Sequence, residues 1–128
     1  MPASKPMRRV LLDEGVPVGV RQHLQGVTVD TAAEAGWAGL ANGELIAAAE
    51  LAGYEIMVTC DQNIRYQQNL AARHIALVVL ETNHWVTIRA AIATVTQAVA
   101  AAQPGSYLSI AFDRPPLRRR KFRPAQRS

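Results

Sequence analysis

Short, uninterrupted apolar runs recur along the chain, each followed by a stretch of different period, and this alternation constrains the fold more than any other feature. Met7 to Leu12 (MRRVLL) ends in Val10-Leu11-Leu12 and stops at Asp13, Glu14 and Gly15, which reads as a buried strand. Val27-Thr28-Val29, Glu55 to Cys60 (EIMVTC), His74 to Leu80 (HIALVVL) and Tyr107 to Phe112 read as four more. Helical patterns lie between them. Pro17 suits the first turn of a helix in which Val20 and Leu24 share a face, with Gly26 at its end. Asn42 is a good N-cap for a helix from Gly43 to about Ala52, with Leu45, Ile46 and Ala49 inward and Gly53 at its close. One long helix is predicted from about Val86 to Ala102, where Ile88, Ile92, Val95 and Val99 form a stripe and Pro104-Gly105 ends the run. Strands alternating with helices predict an α/β domain whose mainly parallel sheet is covered on both faces.

At 128 residues and 49% hydrophobic content, one domain with a sizeable core is expected. No apolar run approaches the roughly 18 to 20 residues that span a bilayer, and the start, MPASKPMRRV, lacks a signal-peptide pattern. Cys60 is the single cysteine, so neither an internal disulfide nor a multi-cysteine zinc site is available. These features lead to the expectation of a soluble, cytoplasmic protein with no membrane partner. The net charge of +4 is unevenly spread. Arg114, Arg118, Arg119, Arg120, Lys121, Arg123 and Arg127 stand without an acid among them, which leaves residues 1–113 at net −3. We therefore divide the chain into a domain, 1–113, and a basic tail, 114–128. The tail reads either as a solvated extension or as an arm that contacts phosphates.

In open parallel sheets, ligands bind beyond the carboxyl ends of the strands, and acids gather there in this sequence. Asp13 and Glu14 follow the first strand, Asp61 follows the third, and Glu44 lies in the first turn of the helix between. Adjacent strand ends lie about 5 Å apart, so these carboxylates are placed to converge. Their mutual repulsion would be relieved by a divalent cation, and hard oxygen donors suit Mg²⁺ or Mn²⁺. Each acid also has a structural reading: Asp13 as a turn residue, Glu44 as a complement to the helix N-terminus, Asp61 as an Asx-turn.

The segments LLDEGVP (Leu11 to Pro17), EAGWAGLANGEL (Glu34 to Leu45) and TCDQNIRYQQNL (Thr59 to Leu70) resemble the PIN-like proteins. More narrowly, they are similar to the compact group related to toxins of bacterial toxin–antitoxin systems. The resemblance runs from about Met7 to Ile110. It implies a three-layer α/β/α sandwich and a Mg²⁺- or Mn²⁺-dependent ribonuclease site, with Asp13, Glu44 and Asp61 as the catalytic and metal-holding acids. It also implies a cognate antitoxin and, since such proteins often pair, a homodimer. Many PIN-like sites carry a further acid two residues beyond the one matched by Asp61. Here that residue is Asn63, an amide able to ligate a metal or orient water but without charge, and Glu14 is the neighbouring acid that could compensate.

Around the acids, Arg65 is suited to a phosphate, Tyr66 to stacking on a base, and Gln67, with Gln68 and Asn69, to reading base edges. Arg118, Arg119, Arg120 and Lys121 are the tail's RNA-binding candidates. Trp37 is expected as a hydrophobic plug and Trp85 as a core or dimer contact. Glu34 is a supporting candidate that reads more simply as a surface acid. His23, His74 and His84 have no metal-ligand spacing. A receiver domain is disfavoured because Lys5 and Lys121, the only lysines, lie outside the folded body. Two readings remain: a metal-dependent endoribonuclease hydrolysing RNA phosphodiesters, and a catalytically inactive PIN-like protein with a binding or regulatory role.

Overall fold

A computed structural model describes residues 8–64 and 73–112. Its strands are β1 (Arg8–Leu12), β2 (Val27–Thr31), β3 (Ile56–Thr59), β4 (Ala76–Leu80) and β5 (Tyr107–Ile110). They form one sheet in the order β2-β1-β3-β4-β5, and every neighbouring pair is parallel. Helical segments complete the α/β fold: a 3-10 helix (Val18–His23), α1 (Asn42–Leu51), α2 (Trp85–Ala90) and α3 (Ile92–Ala101). Parallel pairing follows from strands buried on both faces. Val10 and Leu12 of β1, Ile56 and Val58 of β3, and Val78 and Leu80 of β4 enter one core, with Val20, Ile88, Val95 and Val99 packed above them. The alternate residues Leu11, Met57, Leu77 and Val79 enter a second core beneath α1, with Leu45, Ile46, Ala49 and Ile64. This period-two division is what continuous apolar runs provide when helices cover both faces.

Three elements differ from the sequence expectation. The segment after Pro17 is a 3-10 helix, not an α-helix, closed by bonds from the Val20 N–H to the Pro17 carbonyl (3.1 Å) and from Leu24 N–H to Arg21 (3.2 Å). Its six residues include two β-branched valines and Gly19, which favours the shorter-range bonds over a full α-turn nucleus. Asn42 is not the cap of α1. That place falls to Ala41, and Asn42 is the first helical residue. The long C-terminal helix is two helices, because the backbone at Ala91 (φ −120°, ψ 29°) leaves the helical region and its N–H bonds to Ile88. No glycine or proline marks this break. With it, Ile88 and Val95 are both fully buried against the sheet.

The first residue of the expected first strand, Met7, and the whole tail with the 113/114 boundary lie outside the described residues. Among the described residues, no helix is long and apolar enough to cross a membrane.

Candidate functional site

Strand order reverses between β1 and β3, since β1 is followed on one side by β2 and on the other by β3 and β4. In open α/β sheets, ligands bind outside the carboxyl ends of the strands at such a reversal. Leu12 pairs with Val58, so Asp13 and Thr59 stand together one residue further on. The Asp13 N–H still bonds to the Val58 carbonyl at 2.9 Å, which holds the acid in the plane of the sheet.

Thr59 is fully buried, and its hydroxyl joins two of the expected acids. Thr59 Oγ1 donates to Asp13 Oδ2 at 2.8 Å and accepts the Asp61 N–H at 3.1 Å. Asp13 Oδ1 accepts the N–H of Glu14 at 2.8 Å, and Asp61 Oδ1 accepts that of Asn63 at 2.9 Å. The remaining oxygen, Asp61 Oδ2, takes a hydrogen bond from Asn42 Nδ2. Each of the four carboxylate oxygens thus accepts one hydrogen bond from the chain. A carboxylate has about four lone-pair sites, so these bonds fix orientation without using all of the acceptor capacity.

The other expected acids have hydrogen-bond partners of their own. Glu44 turns back to its own helix start, where its carboxylate accepts the Ala41 N–H at 3.4 Å. This is half of a capping box, because Ala41 has no side-chain acceptor to complete it. Glu14 is exposed and accepts the Gly39 N–H at 3.4 Å. Asn63 is exposed and contributes its backbone N–H, not its amide, to Asp61. Glu34 pairs with Arg21 at 2.8 Å and accepts the Thr31 N–H; the Arg21 guanidinium holds its carboxyl below the usual range. Arg65, Tyr66 and Gln67, like Arg118, Arg119, Arg120 and Lys121, lie outside the described residues.

The Asp13 and Asp61 carboxylates, on adjoining strand ends, are hard oxygen donors of the type that Mg²⁺ and Mn²⁺ take. Among the described residues, however, no group of three or more His, Cys, Asp or Glu side chains is arranged to hold an ion. Hydrogen bonds through Thr59 link Asp13 and Asp61, while the bond made by Glu44 is to the Ala41 N–H.

Two residues near this end escaped the sequence reading. Asn42 looked like a cap, and nothing local marks its side chain for Asp61. Glu81 directly follows β4 and meets the same rule that singled out Asp13 and Asp61, but its carboxylate accepts the Ser109 hydroxyl at 2.5 Å. Trp37 is the expected plug, packed edge-on against Tyr54 with centroids 5.8 Å apart. Trp85 packs on the core and lies beside His23, centroids 5.9 Å apart. Cys60 donates its thiol to the Thr82 carbonyl, and burial, reinforced by the charge of Asp13, pushes its pKa up to about 11. A thiol so disposed is a poor nucleophile near neutral pH.

Compared with known proteins, the chain matches no family model, no curated protein and no solved structure.

Proposed function

We propose that this chain is a PIN-like, toxin-type endoribonuclease of the cytoplasm that depends on Mg²⁺ or Mn²⁺. The observation that carries the reading is the Thr59 hydroxyl joining Asp13 to Asp61 at the reversal of strand order. Asp13 and Asp61 would hold the ion, each pre-oriented by hydrogen bonds that need no rearrangement on binding. When bound, such an ion supplies activation of water and offsets charge that builds on a phosphoryl group. The chain's own part is positional. Thr59 anchors one Asp13 carboxylate oxygen, the backbone N–H groups of Glu14 and Asn63 hold Asp13 Oδ1 and Asp61 Oδ1, and Asn42 braces Asp61 from α1. The three-layer sandwich of the resemblance accords with an apolar core on each sheet face. A cognate antitoxin and a homodimer belong to the same proposal, as does RNA contact by Arg65, Tyr66, Gln67 and the basic tail.

A second reading has its own support. With Glu44 bonded at Ala41 and no group of three or more candidate ligands arranged to hold an ion among the described residues, a PIN-like protein that binds or regulates without catalysis is the alternative. Cleavage of a mixed RNA pool with Mn²⁺, with Mg²⁺ and with chelator separates the two. Metal-dependent cleavage that disappears in an Asp13→Asn, Asp61→Asn double variant supports the nuclease. Absence of cleavage under every condition, by folded protein, supports the binding role.

A further inference from the structure

The sheet has two edges, and they are finished differently. β2 closes one side, and two of its outward backbone groups are taken by side chains. The Val29 carbonyl accepts Arg21 Nη2 at 2.9 Å, and the Thr31 N–H donates to Glu34 Oε1 at 3.0 Å. The Arg21–Glu34 ion pair joins these two caps and lays charge along the edge, which is how sheets block further pairing. β5 closes the other side. The carbonyls of Ser106 and Ile110 accept the N–H groups of Leu77 and Glu81, at 2.9 and 3.0 Å. By strand alternation Ser109, and Ala111 after it, turn their backbone groups the other way, to the open side. Among the described residues, none outside the sheet ladder bonds to the backbone of either. Leu108 pairs with Val78 and shares the face of Ile110, yet it is 46% exposed. Just beyond it, Ile110, Ala111 and Phe112 line a cleft of about 330 Å³ with Ala90, Ala91 and Thr94 from the α2–α3 break.

We propose that the β5 edge is the surface of a homodimer, on which a second copy adds its own β5 antiparallel about a twofold axis at Ile110. This inference rests on the homodimer of the reading above and on none of its chemistry. In that register Ser109 exchanges backbone bonds with Ala111 of the partner subunit. Leu108 stands opposite Phe112 of the partner subunit, in the closer, non-hydrogen-bonded kind of pair. Each exposed Leu108 thereby enters the cleft of the other copy. Plug and cleft lie on one strand, on either side of Ile110, so a single twofold operation fills both clefts. That self-complementarity is what an isologous interface requires. A strand from another protein would need a matching apolar side chain at the same spacing, which β5 itself already carries. The capped β2 edge stops further addition, so the assembly closes at two copies and does not grow into a filament.

The test is sedimentation equilibrium of the full chain and its variants over a range of concentrations, with circular dichroism to establish folding. One edge pair is a small interface, so the parent is expected as a dimer that dissociates on dilution. Leu108→Lys puts a charge into the cleft and is expected to weaken the dimer about tenfold or more. Leu51→Lys alters a residue that is 92% exposed on α1 and is expected to leave the dimer within about twofold. A Ser109→Cys, Ala111→Cys double variant tests the register. The paired Cα atoms would stand about 5.5 Å apart, within reach of a disulfide. Oxidation is expected to link it into a covalent dimer, beyond any that the parent forms through Cys60. A Leu108→Lys dimer within about twofold of the parent overturns the proposal, as does equal weakening by Leu51→Lys. Failure of the folded double variant to cross-link overturns it too, and decides alone if Leu108→Lys does not fold. Growth of the parent beyond two copies overturns the closed assembly. A parent dimer indifferent to all of these changes keeps the homodimer of the earlier reading and removes it from this edge. A parent that stays monomeric overturns both. RNA cleavage, scored separately, bears on the nuclease and leaves this inference where sedimentation puts it.

Discussion

Thr59 Oγ1 and Asp13 Oδ2 lie 2.8 Å apart on adjoining strand ends, in a bond formed by a fully buried hydroxyl that also receives the Asp61 N–H. Thr59→Val keeps the shape and removes both bonds. It is expected to cost about 1–3 kcal/mol in urea unfolding, the usual penalty for stranding polar groups. Thr59→Ser retains the hydroxyl and is expected to recover most of the loss. On the proposed nuclease reading, metal-dependent RNA cleavage follows the same order, falling in the valine variant and persisting in the serine one.

Cys60 tests the electrostatics beside Asp13. With its thiol pKa near 11, against an ordinary value of about 8.5, native protein at pH 8 should react with a disulfide reagent roughly a hundredfold more slowly than free cysteine. The rate should climb as pH passes 10. Absorbance of the released thiolate follows both, and an ordinary rate at pH 8 would contradict the burial described.

Acid stability should depend on Glu50, which ties α1 to the start of β4. Burial alone would raise its pKa, but N–H bonds from Ile75 and His74 and the Arg73 guanidinium outweigh that and bring it below the usual range. A depressed folded pKa contributes stability above the unfolded value, about 4.3, and loses it as pH falls through the folded one. Glu50→Gln should therefore cost about 1 kcal/mol or more at pH 7, with the difference from the parent shrinking below pH 4. Denaturant titrations across that interval check the sign.

Gly19 has no room for a methyl group. A Cβ there would fall 2.6 Å from the Trp85 ring, so Gly19→Ala must displace the indole that joins the 3-10 helix to α2. The expected cost is about 1–3 kcal/mol, as for other overpacked sites. A shift in tryptophan fluorescence should accompany it.

Burial pattern explains which parts of the fold were legible. Val10-Leu11-Leu12, the IMV of β3 and ALVVL of β4 announce strands because each residue is apolar whichever face it takes, and a parallel sheet between helices follows. Pro104 and Gly105 likewise end α3 as expected, for backbone reasons that need no partner. The break at Ala91 was hidden. Alanine-rich helix shows no local fault, and the bend serves contacts of Ile88 and Val95 with strands distant in sequence.

The same division runs through the candidate site. The amino-acid pattern placed Asp13 and Asp61 each just beyond a strand end, because periodicity fixes where strands stop; that these two strands are neighbours came from the sheet order. Only the tertiary structure decided which neighbours those acids keep. Parallel register set Thr59 beside Asp13, and the packing of α1 aimed Asn42 at Asp61 while Glu44 satisfied the N–H of Ala41. A helix start must satisfy its first amides whatever else surrounds it, and with alanine at the cap the nearest acid meets that need. That competition is settled by rotamers and the docking angle of the helix, neither of which a linear pattern carries.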